Sequence, residues 1–179
     1  MIIIGEKIIG TRKAVAQAIR ERDATFIRDL AKSQADAGIA FLDVNAGTAP
    51  EREPDDIAWL VDTVQEACDI PLCLDSANPA ALRAGLEIVK HPPMINSLSG
   101  EKPRVEMVLP LALEYKTSLI LLALDEAGIP DSSDGRMKIV DRLVRLAIDG
   151  GLTEEKLYID PLVTAISTGT DSALITLDT

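Results

Sequence analysis

The sequence predicts an α/β protein, specifically a (β/α)8 TIM barrel truncated after about six βα units. Three observations lead there. Short apolar runs alternate with amphipathic helical segments along the whole chain, and that alternation builds a parallel sheet with right-handed crossovers. The runs recur roughly every 20–40 residues, which is the pitch of such a barrel. Each run ends in a polar side chain, and in a barrel all strand C-termini converge on one mouth. A doubly wound open sheet is the competing architecture. It favours a glycine-rich phosphate turn after an early strand, and no G-x-G-x-x-G stretch is present.

The elements follow in order. "IIIGE" (2–6) is an apolar run ending in Glu6, and "AFLDVNAG" (40–47) carries one ending in Asn45. Between them Phe26, Ile27, Leu30, Ala31 and Ala35 form an apolar helical stripe closed by Gly38. Ile57, Leu60, Val61 and Val64 form the next stripe, and "PLCLDS" (71–76) ends in Asp75. Asn78 followed by Pro79 reads as an N-cap with proline at the first helical position, with Leu82, Leu86 and Val89 at helical spacing beyond. "PMINSLSG" (93–100) ends in Asn96, and Val105, Val108, Leu109 and Ala112 form a third stripe. "SLILLALDEAG" (118–128) ends in Asp125, which there either meets ligand or caps its loop. "DSSDG" (131–135) reads as a helix start, because it lacks the full EF-hand spacing. Ile139, Leu143 and Ala147 continue that helix to Gly150, and "KLYIDP" (156–161) ends in Asp160. The final "STGTDSALITLDT" reads as an N-cap around Thr170 to Ser172 and the opening of another helix. A closed barrel needs eight strands over about 250 residues, so residues 1–179 read as one barrel domain whose last two units are missing.

Composition narrows the function classes. At 47% hydrophobic and 26% charged, the chain reads as a soluble globular domain with a core. A formal charge of −11 argues against nucleic acid and against an anionic membrane surface. No secretory leader is visible, the longest apolar run is too short to span a bilayer, and Cys68 and Cys73 match no zinc or redox spacing. Both cysteines read as buried small hydrophobes in a reducing compartment, which predicts a cytoplasmic protein. The single histidine, His91, stands beside two prolines, so a Ser-His-Asp or Cys-His site is not expected. No metal site is expected either. Trp59 sits on a helix stripe and reads as core rather than as a sugar platform.

What remains is a polar mouth of Asp75, Asn96 and Asp160, with Glu6 and Asn45 beside them. Carboxylates of this kind can hold Mg²⁺. They also suit a pterin ring, whose amino group and ring nitrogen place two N–H donors on one edge for a carboxylate to accept. The competing explanation for each residue is local: Asp75 or Ser76 merely caps a helix, Glu6 and Asn45 tie strand ends together, and Asp43 has a role inside the barrel mouth or a structural hydrogen bond rather than a ligand contact.

The ordered stretches "IIIGEKI", "LDVNAG", "LCLDSANPAAL", "MINSLSGE", "GIPDSSDGR" and "LYIDP" resemble the pterin-binding methyltransferases. They look most like the methyltetrahydrofolate:corrinoid/iron–sulfur protein methyltransferases, relatives of the folate domain of cobalamin-dependent methionine synthase and of dihydropteroate synthase. The resemblance implies that Asp75, Asn96 and Asp160 hydrogen-bond the pterin and that Glu6 and Asn45 line the same pocket. It implies transfer of the N5-methyl of methyltetrahydrofolate to Co(I) of a corrinoid on a partner protein, and a homodimer for the full-length protein. No corrinoid-carrying D-x-H-x-x-G stretch is present, so the corrinoid is expected on another protein. The family's Glu-Arg/Lys-Ile-Asn at the first strand end reads here with Ile9 in place of the asparagine. Its N5-contacting asparagine lies on a seventh strand, beyond Thr179, so no catalytic residue is expected within this chain. Two other readings stay open. One is a dihydropteroate synthase, although its N-x-T-P-D-S-F loop is absent. The other is a non-catalytic partial barrel that binds folate weakly. A partial barrel also leaves strand edges and interior open, which predicts self-association.

Overall fold

The computed structural model describes residues 1–165, 167 and 171–179. Among the described residues six strands alternate with helices, and the pairings β1–β2, β2–β3, β3–β4 and β5–β6 are parallel, as the sequence predicts. The chain divides into two compact units, Met1–Asn96 and Ser97–Thr179, with the boundary inside the fourth strand.

In the first unit β1 (Ile4–Ile9), β2 (Phe41–Asn45), β3 (Leu72–Asp75) and β4 (Met94–Leu98) lie side by side in that order. Strand side chains alternate between faces, and one face is apolar: Leu42, Val44, Leu72, Leu74 and Ile95 are at most 2% exposed. Helices α2 (Ala24–Ala35), α3 (Glu53–Ala67) and α4 (Pro79–Leu86) cover it. Their buried stripe is Ile27, Ala31, Ile57, Leu60, Val61, Val64, Leu82 and Leu86. Each fully buried aliphatic side chain there contributes about 1.5–3 kcal/mol. Gly85 lets α4 approach closely, since a Cβ there would meet Leu74 Cδ1 at 2.9 Å and Ile57 Cγ2 at 3.0 Å.

The sequence reading did not separate α1 (Lys13–Glu21) from α2. Arg22 breaks them apart with φ 56°, its N–H turned back to the carbonyls of Ala18 and Ile19. A left-handed conformation is uncommon for arginine. It is held by the guanidinium, which pairs with the fully buried Asp56 at 2.7 Å and lies 4.9 Å from the Trp59 ring centroid. Trp59 is therefore half-buried under a cation rather than fully in the core.

In the second unit β5 (Ser118–Leu122) and β6 (Leu157–Asp160) pair in parallel. The unit also holds α5 (Lys102–Glu114), α6 (Ser133–Asp149), which packs on β5, and α7 (Ser172–Asp178), which packs on α6. Leu119 and Leu121 of β5 are buried, as are Ile139, Leu143 and Ala147 of α6. Ser132 caps α6 by accepting the Gly135 N–H at 3.2 Å, so "DSSDG" is a helix start.

Three strand assignments need correction. β1 does not stop at Glu6 but continues to Ile9, through a bulge in which Glu6 and Lys7 together oppose Asp43. The bulge persists because Gln34 of α2 accepts the Lys7 N–H at 2.9 Å, replacing a ladder bond. Asn96 lies in the middle of β4, which runs on to Leu98. Asp125 lies beyond the end of β5, where its carboxylate accepts the Ala127 N–H at 2.9 Å and closes the turn to Gly128. The N-cap expected around Thr170 falls outside the described residues at Thr170 itself. Asp171 occupies the cap position of α7 without a side-chain cap bond.

Candidate functional site: a polar row on the open face of the first unit

Pairing fixes which side chains stand together. Ile9 pairs with Asn45, and Asp75 with Asn96. Leu74 of β3 pairs with Val44, so Asn45 and Asp75 are the next residues level with each other. Paired residues of a parallel sheet point the same way, so Ile9, Asn45, Asp75 and Asn96 form one row on the face away from the helices. Asp43, Cys73 and Met94 form the row beneath it, two residues back along each strand.

Within the row the amides are engaged by carboxylates. Asn45 Nδ2 donates to Asp75 Oδ2 at 3.1 Å and to the Asp75 carbonyl at 3.2 Å. Asn96 Nδ2 donates to Asp43 Oδ2 at 3.1 Å. With their donors so used, both asparagines turn their carbonyl oxygens away from those partners. Asn45 Oδ1 is buried and accepts no hydrogen bond among the described residues. The site is therefore rich in acceptors. That matches a ligand edge carrying N–H donors.

Asp43 is the most buried acid of this face, at 1% exposure. Burial raises its carboxyl to about 6, with the Asn96 hydrogen bond opposing the rise and the negative charges of Asp75 and Glu6 adding to it. The Cys73 thiol beside it is only a weak donor, and among the described residues Asp43 Oδ1 has no stronger one. Burial first and Asp43 second push the Cys73 thiol far up, so it is not a nucleophile. The sequence reading gave Asp43 only a supporting role. Its strand position, two residues before Asn45, was the available signal that both face the same way.

The segment after Asp75 is locked. Ser76 Oγ donates to the buried Glu53 Oε1 at 2.6 Å and accepts the Asn78 N–H at 2.9 Å. Asn78 Nδ2 donates to the Pro50 carbonyl, while its Oδ1 caps α4 at Ala80 N. Helix capping and the row therefore coexist at this strand end: Asn78 caps, and Asp75 stands in the row.

The other expected residues lie elsewhere. Glu6 is an exposed residue of the β1 bulge, close enough to Asp43 to act on its carboxyl. Ile9 takes the first-strand place in the row. Asp160 ends β6 of the second unit, level with Leu122, and its Oδ1 accepts the Leu162 N–H at 2.9 Å. His91 is a partly exposed residue 2.5 Å from Asp69. Among the described residues no group of three His, Cys, Asp or Glu side chains could hold a metal ion. No helix among them is long and apolar enough to cross a membrane.

Comparison with known proteins agrees with this architecture. A dihydropteroate synthase from Xanthomonas albilineans, solved with indole-2-carboxylic acid and 6-chloroguanine, superposes with a TM-score of 0.64. At 19% identity over 89% of this chain and 58% of that one, it shows a shared barrel fold. The methylcorrinoid:tetrahydrofolate methyltransferase of Eubacterium limosum is 42% identical over 176 residues, covering 97% of this chain and 65% of the relative. Methionine synthase of Mycobacterium tuberculosis is 26% identical over 180 residues, covering 97% of this chain and 15% of that protein. The chain thus spans less than two-thirds of the length of the curated relatives it matches. The description "pterin binding enzyme" fits residues 12–177, a span that takes in Asn45, Asp75, Asn96 and Asp160, and on that match the chain belongs to the pterin-binding enzyme family.

Proposed function

We propose that this chain is part of an enzyme that transfers the N5-methyl of methyltetrahydrofolate to the cobalt of a corrinoid carried by a partner protein. The observation that carries the reading is the row Asn45–Asp75–Asn96, in which Asn45 donates to Asp75 and Asn96 donates to Asp43 beneath it, so that amide and carboxylate oxygens are gathered on one face. The 42% identity to a methylcorrinoid:tetrahydrofolate methyltransferase supports it.

In this reading Asp75 and Asn96 accept N–H groups of the pterin edge, and the family resemblance assigns the same chemistry to Asp160. Asn45 holds the Asp75 carboxylate in place, and Glu6 lines the pocket through its charge. The bound corrinoid supplies the nucleophile, so this chain needs no covalent residue. A neutral tertiary amine is a poor leaving group, so N5 must gain a proton or a strong hydrogen bond as the methyl departs. The Eubacterium relative's name puts the methyl on tetrahydrofolate instead. The same grip serves both directions, because both pass through one transition state. A cytoplasmic setting and a homo-oligomer belong to the same proposal.

The test follows the absorbance of Co(I) cobalamin on addition of methyltetrahydrofolate, with calorimetry of folate binding alongside. Methyl transfer supports the reading. Condensation of p-aminobenzoate with the pterin diphosphate would identify a dihydropteroate synthase instead. Binding without either reaction would leave a non-catalytic folate-binding partial barrel.

A further inference from the structure

Arg136, in the first turn of α6, is 2% exposed, yet among the described residues it makes no ion pair with a carboxylate. A buried cation is costly unless its donors are satisfied. Here neutral oxygens satisfy them. Nε donates to the Pro130 carbonyl at 3.0 Å, and Nη1 reaches the carbonyls of Pro161 at 2.8 Å and Leu162 at 2.5 Å, and Thr176 Oγ1 at 3.2 Å. Two of these carbonyls immediately follow Asp160.

The Pro161 carbonyl and the Leu162 N–H belong to a single peptide group. Arg136 holds its oxygen, and Asp160 Oδ1 accepts its hydrogen at 2.9 Å. That peptide is therefore clamped at both ends, by a cation on one side and a carboxylate on the other. The cation also polarises the peptide and strengthens its N–H as a donor. Leu162 is left with φ 63°, a conformation that a bulky residue keeps only when its surroundings impose it. Its own carbonyl also lies 3.0 Å from Thr176 Oγ1, whose single proton it shares with the Ser172 carbonyl at 2.9 Å.

We propose that Arg136 is a positioning residue that sets the direction of the Asp160 carboxylate through the Pro161–Leu162 peptide. The consequence for folate rests on the pterin reading above; the contact itself does not. Lysine at this position keeps the charge but lacks the planar fork that spans several carbonyls.

The experiment compares Arg136→Lys with the parent chain in two ways. Amide hydrogen exchange at Leu162, read by NMR without ligand, should accelerate roughly tenfold, as expected for loss of a charge-assisted hydrogen bond, while Ile120 in β5 keeps its protection. Calorimetry with methyltetrahydrofolate should show affinity falling by roughly tenfold in the parent background and by less than about twofold in Asp160→Ala, because residues acting as one unit are not additive. The full loss should persist in Asp75→Ala. Thr176→Val leaves the cation in place, removes one of its partners, and should move both readouts in the same direction by less; it serves if Arg136→Lys does not fold. Unchanged Leu162 exchange, or a loss of affinity that persists in full without the Asp160 carboxylate, would overturn the proposal. Accelerated exchange in a chain whose parent binds no folate would uphold the contact and sink the pterin reading.

Discussion

Asn96 Nδ2 donates to Asp43 Oδ2 at 3.1 Å although their strands, β4 and β2, are not neighbours. The bond passes over Cys73 of β3 and joins the upper row of the site to the acid beneath it. It is the main force holding Asp43 towards ionisation, against the burial that drives it the other way.

The sign of the resulting pH dependence is fixed. The folded carboxyl titrates at about 6 and the ordinary one near 3.8. Asp43 is therefore least costly below pH 4, where it is protonated in both states. Stability is lost as pH rises from about 4 through about 6. The parent should lose up to about 3 kcal/mol relative to Asp43→Asn across that window, from 1.36 kcal/mol per pKa unit. Urea unfolding of both proteins between pH 4 and 8 measures it. A stability difference that does not vary with pH would mean an ordinary carboxyl.

Asp75→Ala should weaken methyltetrahydrofolate binding by about 2–4 kcal/mol, since it removes a two-oxygen acceptor and leaves pterin donors unpaired. Asn45→Ala should cost less, on the order of 1 kcal/mol, because it only frees the Asp75 carboxylate to move. Calorimetry on the three proteins checks the order. Equal affinities would return Asp75 to the role of a strand-end hydrogen-bond partner.

Much of this site was legible in the sequence because strand-end polar residues follow buried runs. Asn45, Asp75 and Asp160 each end a strand as expected. Glu6 was misplaced because a bulge has no local sequence mark: its cause is Gln34, a residue 27 positions from the Lys7 amide it binds. Asn96 reads as a strand end because the apolar run stops there, whereas β4 continues through Ser97 to Leu98. Glu53 and Arg136 were invisible for a related reason. Each stands among ordinary first-turn helix residues, and only the folded chain brings them to Ser76 and Pro161.

Glu53→Ala should destabilise the chain by about 1–3 kcal/mol, the cost of leaving a buried hydroxyl partner without its acceptor. Ser76 Oγ, at 2.6 Å from Glu53 Oε1, is the group left stranded. Glu53→Gln keeps an acceptor of the same length and should recover most of the loss. Denaturant midpoints of the three proteins decide it. If Gln and Ala behaved alike, the buried charge itself would be the important feature.

The last prediction concerns apolar surface in the second unit. Ile159 of β6 is 42% exposed, Val163 in the following loop 69%, and Leu174 and Leu177 of α7 61% and 82%. These residues are near one another, because α7 is tied to that loop by Thr176 Oγ1 at the Leu162 carbonyl and by Ser172 Oγ at Thr164. Large contiguous apolar patches are rarely left to water in a monomer, and β6 also presents backbone groups on an edge. We therefore expect the 179-residue chain to self-associate, with an apparent mass by light scattering that rises with concentration. Replacing Leu174 and Leu177 by Glu, which leaves the Thr176 and Ser172 bonds in place, should lower that mass while leaving the thermal transition nearly unchanged. A monodisperse monomer of the parent chain at every concentration would refute the expectation. Association undiminished by the two glutamates would move the contact to another surface.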